Sequence, residues 1–244
     1  MFNNFLEDAV RAVGERHAFN EKLSIALLSL KNKPSPNILE NIVLFVSKQK
    51  LSASIAGVDS GFASKRLSFI DLVLIKTTGV LFKYKNGAQK EAVYYPAPFS
   101  FPKPALLKQG LEKDEEQQSV SLLRLREEIN CAVEMIKKFK PNFMFLDGSI
   151  VPQYQDKPKK ESELNDDYRS IISLFEKLYK VAEENCCTLV ACVEDSRGAR
   201  FCQILAEEIL PKSSSVVSSK ISPSQLNGSF DASLLDYYGT WDGG

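Results

Sequence analysis

Two aspartates carry the most chemical information in this chain of 244 residues. Asp59 closes the run Ile55-Ala56-Gly57-Val58 and is followed by Ser60-Gly61, and Asp147 closes Phe143-Met144-Phe145-Leu146 and is followed by Gly148-Ser149. Each run has strand length and ends in small residues, so each carboxylate is expected where a buried strand turns into a loop. A carboxylate left unpaired in a core costs several kcal/mol, whereas at a strand end it faces solvent, a cation or a substrate phosphate. A third apolar run, Thr188–Val193, ends in Glu194-Asp195, and Glu128 lies on a long amphipathic segment between the first two. Asp59, Glu128, Asp147 and Asp195 are therefore candidate oxygen ligands for Mg²⁺ or Mn²⁺. Such ions bind through a few carboxylates and keep water and substrate phosphate in their other positions. Two of them together stabilise the attacking and leaving oxygens of a phosphodiester displacement. In that arrangement Asp59 bridges, Glu128 and Asp147 are outer ligands, and Asp195 is a fourth.

Each residue taken alone has a plainer reading. Asp-Ser-Gly and Asp-Gly-Ser form turns and helix N-caps. A glutamate on a helix containing Arg124 and Arg126 is commonly half of a surface ion pair, and Asp195 with Arg197 makes a salt-bridged turn. What raises the set above its members is the repetition of strand-end acids in the order that one fold requires.

The elements that must position these acids follow from periodicity. Phe5, Ala9, Val13, Phe19, Leu23 and Leu27 recur at helical spacing from Phe2 to about Leu30, and a second helix is expected from about Asn37 to Lys48. Residues 1–50 are thus a helical lead-in, and 51–244 the main domain. Strands are expected at Ala53–Asp59, Leu67–Thr77, Val80–Tyr84 and Ala92–Tyr95, with Thr78-Gly79 and Asn86-Gly87 as hairpin turns. Pro96–Pro104 reads as a loop packed by its own aromatics, Phe99 and Phe101. A long helix then runs to about Lys140 with Leu122, Leu125, Ile129, Ala132, Val133 and Ile136 inward. On its wheel Glu128 sits at the edge of the apolar face and Glu127 on the far side. Phe143–Asp147 reads as a central strand covered on both faces. A helix from about Asp166 to Asn185, a buried strand at Thr188–Val193 and a helix to about Leu210 follow, and Leu234-Leu235 anchors the tail. A meander followed by helix, strand, helix, strand, helix is the order of a ribonuclease H-like α/β domain, a mixed sheet flanked by helices.

Composition sets the outer bounds. Lys+Arg and Asp+Glu both number 31, so net charge neither supports nor opposes nucleic-acid binding. Basic residues nonetheless follow each acid-bearing strand: Lys65 and Arg66, then Lys157, Lys159 and Lys160, then Arg197 and Arg200. These are the candidate phosphate contacts. Five cysteines without C-x-x-C spacing read as reduced thiols rather than a zinc site. No signal peptide and no run of roughly 18 apolar residues is present, so the expected location is cytoplasmic, with no membrane partner.

The chain resembles the NurA nucleases of archaea and some bacteria. The likeness lies in Gly57-Val58-Asp59-Ser60-Gly61, the arginine-containing helix Leu122–Ile136, Phe145-Leu146-Asp147-Gly148-Ser149 and Val193-Glu194-Asp195-Ser196-Arg197. It runs in order over nearly the whole chain. The resemblance implies a ribonuclease H-like fold and manganese- or magnesium-dependent cleavage of DNA, by 5′–3′ exonuclease and single-strand endonuclease action. It also implies DNA end resection for recombinational repair beside a HerA-type hexameric ATPase, and a homodimer whose channel receives DNA. Asp59, Asp147 and Glu128 carry over by position. Members of the family run on past the point matching Gly244, with a late histidine or acid in the site. Here the late acids are Asp231 and Asp236, and the sole histidine is His17. A noncatalytic ribonuclease H-like protein that binds DNA or an ATPase is the alternative. An actin-like or sugar-kinase-like ATP site ranks last, because glycine-rich phosphate loops are absent.

Overall fold

The computed structural model describes residues 2–28, 47, 49–68, 70–107, 111–153, 156–193, 198–212, 223–226 and 229–239. The helix expected at Asn37–Lys48 and the segment Glu194–Arg197 lie outside the described residues. Two compact units make up the chain: Lys48–Glu194, and Met1–Ser47 together with Asp195–Gly244.

The continuous unit is built on a six-stranded sheet. Strands β1 (Ser54–Leu67), β2 (Ile70–Lys85) and β3 (Ala88–Tyr95) form an antiparallel meander. After β4 (Lys103–Leu106) and helix α2 (Lys113–Phe139) comes β5 (Phe143–Asp147), which is parallel to β1. Helix α3 (Asn165–Glu184) then leads to β6 (Thr188–Cys192), parallel to β5. The spatial order is β3-β2-β1-β5-β6, with β4 pairing residues 72–75 of β2.

Local chemistry accounts for most boundaries. Asn86 and Gly87 both have positive φ, 53° and 81°, which is what a two-residue turn between twisted strands demands. Helix α2 starts with a capping box between Glu112 and Glu115, carries acids in its first turn and Lys137 and Lys138 in its last, and stops at Lys140 in the left-handed region before Pro141. Its apolar stripe packs with that of α3 against one face of the sheet. Ala56, Val58, Met144, Leu146, Ile129, Ile136, Ile171 and Leu178 are among the buried residues of this core.

Several sequence expectations need correcting. Asp59 does not end its strand: β1 runs eight residues further, still paired with β2 as far as Leu67↔Ile70, although residues 61–68 are all exposed. Thr78-Gly79 is no turn, because β2 passes straight through it. Gly79 is glycine because α2 lies against the sheet there, and a Cβ would collide with the Met135 sulfur, with Cys131 Sγ 3.3 Å away. Phe99 and Phe101 do not pack their own loop and are 94% and 96% exposed. β5 is central in the order but covered on one face only, with Met144 and Leu146 buried and Phe145 open. β6 lies at the end of the strand order, half-buried to exposed rather than buried.

In the other unit, α1 (Phe2–Leu28) and α5 (Asp231–Gly239) meet a short helix α4 (Arg200–Ile204) that continues through a wider turn, Leu205–Ile209, and a tight one, Leu210–Lys212. Leu23, Cys202, Leu205, Leu210, Leu226 and Leu234 form its core, whereas Leu235 is exposed. Asp231 accepts hydrogen bonds from the backbone N–H groups of Phe201 (3.0 Å) and Cys202 (2.9 Å), satisfying two otherwise orphaned donors at the start of α4. Asp231→Ala is expected to cost about 1 kcal/mol and to lower the Tm by about 3 °C. Thermal denaturation checks this, and Asp231→Asn should lose less because one acceptor remains.

Candidate metal and nucleic-acid site

The parallel ladder of β1 and β5 ends at Val58↔Leu146, so Asp59 and Asp147 are the next residues on neighbouring strands. Neighbouring strands lie about 4.8 Å apart. By strand alternation both side chains leave the face opposite α2, and both are exposed. Beyond this point β1 has no β5 beside it, and the Ser60 N–H donates to Asp59 Oδ1 at 2.7 Å.

Ser60 points the other way, into the contact with α2, and is buried. Its hydroxyl donates to Glu128 Oε1. Arg124, one turn before Glu128 on the same helix face, donates to the Ser60 carbonyl at 2.9 Å, to Ser60 Oγ at 3.2 Å and to Glu128 Oε1 at 3.5 Å. One guanidinium thus pins α2 to β1 beside the acids. Burial is the largest influence on Glu128 and holds its carboxyl above the usual range. The Ser60 hydrogen bond and Arg124 oppose that rise, and the charges of Asp59 and Asp147 add to it. Glu127 faces elsewhere and accepts from Lys103 Nζ at 2.9 Å.

The folded protein therefore holds the Glu128 proton more tightly than the unfolded chain does. Ionising it costs stability above the ordinary glutamate value of 4.5 and nothing well below it. Glu128→Gln is expected to raise the Tm of the metal-free protein by a few degrees at pH 7, and this gain should vanish as the pH falls below that value. Thermal denaturation in EDTA across the pH range reads both the sign and the window.

Asp59, Asp147 and Glu128 suit a hard divalent cation in donor type, and their mutual repulsion is what such an ion would relieve. As they stand, no three His, Cys, Asp or Glu side chains among the described residues converge into a ligand set. The hydrogen bonds that described residues give Glu128 all fall on Oε1. Asp195 and Arg197 lie outside the described residues. Asp231 has both oxygens engaged at the α4 cap, and the side chain of Asp236 lies outside the description. His17 is exposed on α1.

Among the candidate phosphate contacts, Lys65, Lys157, Lys159, Lys160 and Arg200 are exposed. Arg66 is tied to Asp71 (3.3 Å) and to Glu116, while Arg200 donates to Gln203 Oε1 at 3.1 Å. The ion pair expected for Glu128 forms with Arg124, but sequence reasoning passed over Ser60 and the hold of Arg124 on it. Arg124 had a signal, its i,i+4 spacing to Glu128; Ser60 had none, since its partner comes from another element.

Three antiparallel strands, a crossing helix and two strands parallel to the first, in the order 3-2-1-5-6, define a ribonuclease H-like α/β fold. Among solved structures, the chain is similar to the NurA nuclease from Sulfolobus solfataricus, with 15% identity, TM-score 0.45, and coverage of 84% of this chain and 67% of that one. It is also similar to NurA bound to dAMP and manganese, with 14% identity, TM-score 0.37, and coverage of 78% of this chain and 41% of that one. A third likeness is to the trimeric exonuclease PhoExo I from Pyrococcus horikoshii OT3, with 16% identity, TM-score 0.30, and coverage of 62% of each chain. The chain thus spans only part of each of these proteins. No protein-family model matches it, and no curated protein does.

Proposed function

We propose that the chain is a divalent-metal-dependent DNA nuclease. The observation that carries this reading is the approach of Asp59, Asp147 and Glu128 where the β1–β5 ladder ends. There the charges of Asp59 and Asp147 help to raise the Glu128 carboxyl, and Arg124 lies within reach of Glu128. Mn²⁺ or Mg²⁺, when bound, supplies neutralisation of the scissile phosphate and activation of the attacking water. Asp59, Asp147 and Glu128 are the residues that would hold the ion. Ser60 and Arg124 hold Oε1 and so keep the Glu128 side chain from turning away. Lys65 and the lysines at 157, 159 and 160 screen the incoming strand's phosphates.

By its resemblance to the NurA family the protein acts on DNA ends as a homodimer beside a HerA-type ATPase, in the cytoplasm. Among the described residues no helix is long and apolar enough to cross a membrane. A second reading, a noncatalytic ribonuclease H-like protein that binds DNA or an ATPase, draws on the lack of three converging ligands among the described residues.

Single- and double-stranded DNA incubated with Mn²⁺, Mg²⁺ or EDTA separates the two readings. The nuclease reading expects metal-dependent cleavage that Asp59→Ala abolishes. No cleavage by the parent with either ion favours the binding protein.

A further inference from the structure

A cleft of about 500 Å³ opens between the outer part of the β1–β2 ribbon and the first half of α2. Phe62, Leu72, Val73 and Val120 give it an apolar surface, with Arg124 at one end and Arg66 at the other. Phe62 is 50% exposed, and the Arg124 guanidinium lies 5.5 Å from its ring centroid. That same guanidinium binds the Ser60 carbonyl and Glu128, so the cleft begins beside Glu128. Two strand residues, about 7 Å, separate Ser60 from Phe62, a gap that the sugar of a single nucleotide spans. At the far end Arg66 reaches from β1 to Glu116 on α2 and to Asp71 on β2.

We propose that this cleft binds one unpaired nucleotide of a DNA strand, its base stacked on the exposed side of Phe62 and its phosphate directed to the Arg124 end, beside Glu128. The assignment of the acids rests on the nuclease reading; the cleft itself does not. Its volume matches pockets that enclose a small ligand and is far too small for a duplex. About 500 Å³ is room for one nucleotide, and the Arg66 ion pairs mark its far end. Arg66 engages both acids of the lining, which leaves the balance of Lys65, Arg66 and Arg124 basic. An aromatic ring flanked by guanidinium groups is a sequence-tolerant platform for a base.

The test uses the full chain in EDTA, where no strand is cut. A labelled single-stranded oligodeoxynucleotide and a dumbbell duplex closed at both ends by hexaethylene glycol linkers, so that it offers no unpaired base, are titrated against parent, Phe62→Ala and Phe62→Trp, each with its Tm checked against the parent. The expected result is that Phe62→Ala weakens single-strand binding about tenfold, Phe62→Trp restores it, and the dumbbell shows no dependence on residue 62. Equal single-strand affinity of Phe62→Ala and parent, an equal loss on the dumbbell, or no single-strand binding by the parent overturns the proposal. A parent that binds single strands through Phe62 yet cuts nothing with Mn²⁺ would remove the nuclease reading and leave the cleft standing.

Discussion

Asp59→Asn is expected to lower Mn²⁺-dependent DNA cleavage by about 10³-fold or more while moving the Tm by less than about 2 °C. The two effects separate because of where Asp59 sits. Its side chain is exposed, and its one hydrogen bond from a described group, the Ser60 N–H, survives on the asparagine oxygen. What the substitution removes is a negative charge beside Asp147 and Glu128, and with it the attraction for a divalent ion. Asp147→Asn should behave alike, because Asp147 is the matching residue on the neighbouring strand. Initial cleavage rates on single-stranded DNA, measured over a range of Mn²⁺ concentrations, read the effect. Cleavage by Asp59→Asn at the parental rate would take this aspartate out of the reaction.

The second large effect is structural. Gly79→Val is expected to destabilise the fold by about 3 kcal/mol or more, a fall in Tm of about 10 °C. A Cβ at this position lies on the Met135 sulfur, with the Met135 methyl 3.2 Å away and Cys131 Sγ 3.3 Å away. Met135 is fully buried, so it has no solvent into which to swing. The strand is equally constrained, since Gly79 pairs with Val58 on one side and with Tyr95 on the other. The remaining relief is for α2 to rise off the sheet, and α2 carries Glu128 and Arg124. Gly79→Ala should cost less, about 1–3 kcal/mol. Denaturant titration of both variants gives the comparison, and a valine variant within 1 kcal/mol of the parent would mean that helix and sheet are looser here than their contacts imply.

Gly79 also marks the limit of what sequence could tell. Thr-Gly between apolar runs is a standard turn signal, and only the approach of a helix some fifty residues later makes the glycine part of a strand. The same dependence on distant partners hid the extension of β1 past Asp59. Gly61, Ala63, Ser64, Lys65 and Arg66 have little strand propensity, and β2 alone keeps them in register. Where the deciding contacts are local, the reading matched the fold. Asn86-Gly87 fixed its turn, the 3.6-residue stripe fixed α2 and α3, and element order fixed the mixed sheet. At the site, the wheel put Glu128 at the edge of the apolar face, where it meets Ser60, but set Glu127 on the far side, whereas Glu127 is half-buried and accepts from Lys103 of β4, a partner the helix alone does not reveal. Ser60 was illegible because its buried hydroxyl acquires meaning only when α2 docks. The exposure of Phe99 and Phe101 was equally hidden, since four nearby prolines rule out regular structure without saying whether a loop lies flat or stands off.

The division of the chain into one continuous unit and one made from both ends bears on how the protein is synthesised. Helix α1 leaves the ribosome before the sheet unit, yet among the described residues Leu23 finds its buried neighbours on segments after residue 200, among them Leu234 of α5. At about 5–20 residues per second, that partner follows tens of seconds later. The sheet unit, Lys48–Glu194, has by then emerged with all its own core residues and can close without either terminus. The acids are therefore assembled before those partners of Leu23 exist, and during that interval helix α1 carries a leucine that they have not yet covered, for a chaperone to hold.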